Sequence, residues 1–189
     1  MNSCIIDNAY DAGLLAVNSS IRASNLLVSN SGKNIVISKG GRYEFTNCSF
    51  VGYSSRFIGH LYPVLDISNS DGTATAALEA SFNNCIFWGD KGVVDNEVVI
   101  EKTGSDPFSV IFDHVLWRQA TSPAFATLAN IIENQDPLFA NTDPANGNYN
   151  FRLAEGSPAV NTGKTVALAT DLDGRPRSAG VPDLGAYEQ

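Results

Sequence analysis

Phe45-Thr-Asn-Cys-Ser-Phe-Val-Gly52 and Phe82-Asn-Asn-Cys-Ile-Phe-Trp-Gly89 are one eight-residue phrase written twice, and the architecture follows from how that phrase can fold. Two further copies align without gaps, Ala23-Ser-Asn-Leu-Leu-Val-Ser-Asn30 and Phe112-Asp-His-Val-Leu-Trp-Arg-Gln119. Met1-Asn-Ser-Cys-Ile-Ile-Asp-Asn8 fits the same frame. The fourth positions are Cys4, Leu26, Cys48, Cys85 and Val115, so the copies recur after 22, 22, 37 and 30 residues. A fixed shortest step with longer variants marks a solenoid whose turns carry loop insertions.

Within the octet the first, fourth and sixth positions are mainly apolar. The spacing of two puts alternate side chains of a strand into a core, and the spacing of three demands a bend at positions two and three. That bend stacks Asn25, Asn47, Asn84 and His114, with Ser3 below them. Asn tolerates left-handed backbone and its amide bonds to neighbouring backbone, so the four form a structural ladder at a turn. The eighth position carries Asn8, Asn30, Gly52 and Gly89, residues that also accept positive φ. A second strand set precedes the octets, at 34–38, 64–68 and 97–101, with 14–17 in the matching place. These segments are short, β-branched and bounded by polar or turn residues. A third set, at 42–45, 78–82 and 108–112, runs directly into the octets. The expected fold class is all-β, a parallel β-helix of about five coils with three short strands per coil. Leucine-rich and helical repeats are excluded, because no fixed Leu frame or helical period recurs.

A chain of 189 residues with 43% hydrophobic content suits one domain. Against 12 Lys and Arg stand 20 Asp and Glu, a net charge of -8. That field repels nucleic acid, anionic membranes and polyanionic sugars, and leaves neutral glycans or proteins as the easier partners. No apolar run approaches the roughly 20 residues of a spanning helix.

The ladder coils resemble the pectate-lyase-like superfamily of right-handed parallel β-helices. Asp136-Pro-Leu-Phe139, Tyr149-Asn-Phe-Arg-Leu153, Gly156-Ser-Pro-Ala159, Asn161-Thr-Gly163, Asp171-Leu-Asp-Gly-Arg-Pro-Arg177 and Asp183-Leu-Gly-Ala-Tyr-Glu188 resemble, in order and spacing, the C-terminal region of secreted bacterial β-helix proteins of the choice-of-anchor Q kind. The resemblance implies export and a secreted or cell-surface address in a bacterium. We expect residues 1–120 to form the coils and 121–189 a capping segment on the same domain, wrapped across the C-terminal end of the stack. Ser122-Pro-Ala-Phe-Ala-Thr-Leu-Ala-Asn130 carries a helix N-cap, Pro at N1 and helix formers, which predicts a short helix leaving the last coil. The chain opens inside an octet, which points to a C-terminal piece of a longer protein.

Candidate chemistry is sparse. Cys4, Cys48 and Cys85 share one octet position and read as core thiols, since Cys4 and Cys48 would stand two coils apart, beyond disulfide reach. His114 fills a ladder slot and reads as a polar rung. The longest coil inserts Tyr53-Ser-Ser-Arg-Phe-Ile-Gly-His-Leu-Tyr62, where Tyr53, Arg56, Phe57, His60 and Tyr62 combine aromatic faces with donors. That set suits sugar stacking or a protein contact, against the plainer reading of an insertion packed on the flank. A lyase of this fold needs a base and a cation at a uronate, and a hydrolase needs paired carboxylates. No Asp cluster faces Arg or Lys at matching positions, and Asp66 stands between Val36 and Val99 without a partner. Asp171-Leu-Asp-Gly174 resembles the start of a calcium loop, with Asp171 and Asp173 as ligands, but the remaining ligands are missing. We expect a structural turn there and no cofactor, with calcium as the alternative. The leading expectation is an extracellular scaffold or recognition module for glycan or a surface partner, with no catalytic residues in this chain. The alternative is the C-terminal part of a polysaccharide lyase or glycoside hydrolase whose active groove lies mainly upstream.

Overall fold

The computed structural model describes every residue except Arg56, Lys91, Pro144, Ala145 and Ala179. The described chain is all-β, without helix. Its strands are β1 (Asn2–Asp7), β2 (Ala12–Ser29), β3 (Lys33–Thr46), β4 (Ser49–Gly52), β5 (Leu65–Ser68), β6 (Leu78–Gly89), β7 (Val98–Glu101), β8 (Phe108–Trp117), β9 (Ala126–Glu133), β10 (Phe139–Asp143) and β11 (Asn148–Leu153). All pairings among β1 to β9 are parallel, and the hairpin β10–β11 is antiparallel. Strands β2, β3, β6 and β4 close a parallel ring. No helix is long and apolar enough to cross a membrane among the described residues.

The register follows the octet frame. Cys4 lies beside Leu26, Leu27 beside Ser49, Ser49 beside Ile86, and Cys85 beside Val115. The preceding segments align Phe45 with Phe82 and Phe82 with Phe112. Their rings stack at 5.1 and 4.9 Å with nearly parallel planes, while Phe50 and Phe87 form a second column at 5.0 Å. The earlier strand set aligns Leu14, Ile35, Leu65 and Val98. These columns fill one interior, and each large side chain so buried contributes about 1.5–3 kcal/mol. Cys48 and Cys85 lie fully buried within it as free thiols, and Cys4 stands partly buried at its margin.

Long strands bend rather than break. β2 turns at Asn18 and Asn25, whose φ values are 42° and 49°. Asn47, Asn84 and His114 follow with 52°, 53° and 54°. Ser3 and Asn130 extend the series at 50° and 53°.

Two expectations are corrected. Residues 122–130 form no helix: β9 begins at Ala126 and pairs in parallel with β8, placing Ile131 beside Val115. The stack therefore gains a sixth strand after a step of only 16 residues, because the chain passes from Trp117 to Ala126 without building the first of the three segments. The tail, too, does not wrap the end. It lies along the side, where Phe151, Leu153, Ala159, Leu184, Ala186 and Tyr187 cover the outward residues Leu27, Val51, Ile86, Trp88 and Leu116 in a second apolar cluster. β9 itself stays half-exposed, with Leu128 and Ile131 only partly buried. The tail goes to the side because outward positions five and seven of the octets supply the apolar residues Leu27, Val51, Ile86, Trp88 and Leu116, and covering them removes apolar surface from water.

Candidate functional site

After each octet a connecting segment leads to the next stretch of parallel strand. The crossings at 8–11, 30–32, 53–64, 90–97 and 118–125 differ most in length at 53–64. These connections carry the exposed apolar side chains Tyr10, Phe57, Leu61, Tyr62, Val93 and Phe125. Phe57 is 81% exposed and Tyr62 52%. Lys33 Nζ stands 5.0 Å over the Tyr62 ring, so one face of that tyrosine is engaged by a cation.

The five residues proposed to share a binding loop are divided. Arg56 lies outside the described residues. Phe57 and Tyr62 face solvent. Tyr53 instead packs against the tail, its ring 6.5 Å from Phe139, 6.1 Å from Tyr149 and 5.9 Å from Phe151. Burial, with Asp136 and Asp90 nearby, raises its hydroxyl well above the ordinary tyrosine range. His60 is buried, 6% exposed, and cannot stack on a ligand.

His60 fills a niche that two glycines create. A Cβ on Gly52 would stand 2.0 Å from Nδ1, and one on Gly89 2.2 Å from Cε1. Both glycines lie outside the positive-φ residues, so they serve clearance for the imidazole rather than backbone freedom. Nδ1 is 2.6 Å from the Gly52 carbonyl, and Nε2 is 3.1 Å from Glu97 Oε2, off the line of a hydrogen bond. Glu97 is fully buried and takes a 2.9 Å bond from Arg118 Nη2, which also donates to the Val94 carbonyl at 2.6 Å. Asp90 lies 4.0 Å from Nδ1 and accepts the Ser54 amide at 2.8 Å. Burial would lower the imidazole's affinity for a proton, but Glu97, the Gly52 carbonyl and Asp90 outweigh it, and the pKa is raised above 6.5.

Two ionisable groupings on the outer faces escaped the sequence reading. The step of 22 places Arg22 beside Glu44, and the step of 37 places Arg42 beside Glu79. Arg22 Nε lies 2.6 Å from Glu44, and Arg42 lies 3.5 Å from Glu44 and 3.6 Å from Glu79. Open depressions of 410, 560 and 320 Å³ share these residues along the sheet. Arg22 holds the Glu44 carboxyl below its ordinary value, so it stays ionised and unsuited to donate a proton. Asp66 does pair with Val36 and Val99 in register, yet burial and the nearby Glu101 raise its carboxyl, with Lys33 opposing.

The calcium-loop likeness has another content. Asp171 Oδ1 accepts the Asp173 and Arg175 amides at 2.9 and 2.8 Å, and Oδ2 the Glu188 amide at 2.9 Å. Asp173 is clamped by Arg152 through two bonds of 2.5 and 2.6 Å. With these oxygens engaged, Asp171 and Asp173 tie a turn and do not converge on a cation.

The ladder amides also hold the tail. Asn25, Asn47 and Asn84 donate to the carbonyls of Thr170, Asp183 and Lys164, and Asn84 reaches Asn47 Oδ1 at 3.2 Å. His114 departs from this pattern: Nδ1 lies 2.7 Å from Asp113, which also takes Lys164 Nζ at 2.7 Å and the Asn130 amide at 2.9 Å. Burial alone would raise the Asp113 carboxyl, but these three partners hold it at about 2.

No family model matches the chain, and no curated protein matches its sequence.

Proposed function

We propose that this chain is a stretch of right-handed parallel β-helix from a secreted or cell-surface bacterial protein, and that it recognises neutral glycan or a surface partner without catalysing a reaction. The observation that carries the proposal is the corner loop 53–64. Its tip exposes Phe57, Leu61 and Tyr62, while its base is fixed by Ser54 and His60. Exposed aromatic faces on a fixed base suit sugar stacking, since little order is lost on binding. The net charge of -8 favours a neutral ligand over a uronate. The tail's likeness to the choice-of-anchor Q kind supports export.

Isothermal titration with cellohexaose, xylohexaose and oligogalacturonate tests this. Binding of a neutral sugar should weaken about 5- to 150-fold in the Phe57→Ala/Tyr62→Ala double variant, the loss expected for two ring contacts of about 0.5–1.5 kcal/mol each. Unchanged affinity removes the loop from consideration. Tyr53 is left intact, because it belongs to the tail contact.

A second reading is part of a polysaccharide lyase or glycoside hydrolase. It is favoured by the Asp66 carboxyl, which burial and the nearby Glu101 raise, making it better able to hold a proton. Release of reducing ends or unsaturated uronate, abolished by Asp66→Asn, would support it.

A further inference from the structure

We infer that loop 53–64 is latched by the imidazolium form of His60, so that its recognition of ligand is gated by pH. The inference deepens the reading of that loop as the recognition element and rests on it for the ligand, but the latch itself stands on geometry. At 2.6 Å from the Gly52 carbonyl, Nδ1 must carry a proton. A neutral His60 would then turn the lone pair of Nε2 toward the carboxylate oxygen of Glu97 at 3.1 Å, two acceptors in contact. The other oxygen of Glu97 is already engaged, accepting a bond of 2.9 Å from Arg118 Nη2. The imidazolium instead sets a positively charged N–H, and not a lone pair, 3.1 Å from Glu97 Oε2, an ion-pair contact where the neutral ring has a repulsion.

The charges agree. The groups facing the ring among the described residues are Glu97 ahead of β7, Asp90 after β6 and, through Glu97, Arg118 after β8. With His60 protonated, two cations meet two anions in a buried pocket. With His60 neutral, one negative charge is left uncompensated there, which burial penalises.

The ring is also the loop's anchor. The His60 amide donates to Ser54 Oγ at 3.2 Å, Ser55 and Ile58 close the turn between them at 2.7 Å, and Tyr149 holds the Ser54 carbonyl at 2.9 Å. Phe57 rides on that turn. Losing the proton frees the side chain that closes the loop's far end, while the Ser54 end stays tied to the tail. As pH rises through the raised His60 pKa, the latched fraction falls, and apparent affinity falls with it by up to about tenfold per pH unit.

The test is an NMR titration from about pH 5 to 9 on the full chain carrying His114→Asn, which leaves His60 as the single imidazole and puts the common ladder residue at 114. The His60 ring protons should titrate above 6.5, and the amides of Ile58, Gly59 and Leu61 should shift with the same midpoint. Glu97→Gln should lower that midpoint, a readout that does not require removing the ring. His60→Gln should abolish the loop inflection. A ring midpoint at or below the ordinary histidine value, or loop amides that do not move with it, overturns the latch. The same samples titrated with cellohexaose and xylohexaose separate the two ideas. A loop inflection with no sugar bound at any pH removes the ligand and keeps the latch, whereas pH-independent sugar binding removes the gating.

Discussion

At the scale of single residues, the most informative positions are those where one side chain dictates another's absence. Gly52 meets only His60 atoms within its three nearest contacts, at 2.0, 2.3 and 3.1 Å from a built Cβ. Gly52→Ala should therefore expel the ring and cost about 1–3 kcal/mol, the range for overpacking a filled site. In a His60→Ala background the same substitution should cost little, and urea unfolding of the four proteins gives that coupling directly. An additive pair of costs would mean the glycine is kept for another reason. In sequence, Gly52 and Gly89 read as turn residues because they share a frame position with Asn8 and Asn30, which do adopt positive φ. Nothing in the local sequence separates a glycine that bends from one that clears space. The information lies in His60, eight residues along from Gly52. The charge pairs Arg22–Glu44 and Arg42–Glu79 were legible in principle, since the octet steps of 22 and 37 residues place them side by side. A search confined to Asp facing Arg or Lys passes over them.

At the scale of elements, the repeat was readable where all its inward positions are apolar and became opaque where one is not. Leu128-Ala-Asn-Ile-Ile-Glu133 is a sixth copy of the phrase, but Glu133 stands opposite Trp117 and breaks the inward pattern. Ser122 and Pro123 just before it carry a helix-start signal, and strand pairing with β8 overrides that local preference. Asn130 is the residue that betrays the strand, with φ of 53° and an amide on Asp113. Asn130→Val places a β-branched side chain in left-handed backbone and should cost about 1–2 kcal/mol by thermal unfolding. A helix at 122–130 would accept Val there with a few tenths of that loss. The tail's path was hidden for a different reason: its anchors are single apolar residues and buried ion pairs, which have no period to detect. Arg177 Nη1 lies 3.0 Å from Glu188, and Nη2 reaches Asn25 and the carbonyls of Gly185 and Ala186. Arg177→Leu leaves the buried Glu188 carboxylate without its cation and should cost about 3–5 kcal/mol in urea unfolding. Adding Glu188→Gln should recover part of that loss, because the penalty belongs to the unpaired charge.

At the scale of the whole molecule, parallel strands are held by contacts with their in-register neighbours, so pH acts by changing a few pairs that tie strands and tail together. Two groups of titrations oppose each other. The Asp113 carboxyl, held at about 2 by Lys164, Asn130 and His114, joins β8, β9 and the tail. Being depressed in the fold, it contributes above its unfolded value of about 3.9, and the contribution is lost as pH falls toward 2. His60 has the opposite sign. Its raised pKa contributes stability below about 6.5, lost as pH climbs through the folded value. Asp66 and Asp183, raised by burial, share that sign but not that window: their contribution is fully present below about 3.9 and is lost as pH rises from there through their raised folded values. The thermal midpoint should therefore be highest between about pH 4 and 6.5 and decline on both sides. Lys164→Met should shrink the acid limb, which Glu44, Asp71 and Asp173 share, and leave the alkaline limb unchanged, whereas His60→Gln should shrink the alkaline limb only. A midpoint that climbs steadily from about pH 6.5 to 8.5 in the unaltered protein would contradict the assignment of His60 as a buried cation, because only a neutral ring gains from losing its proton.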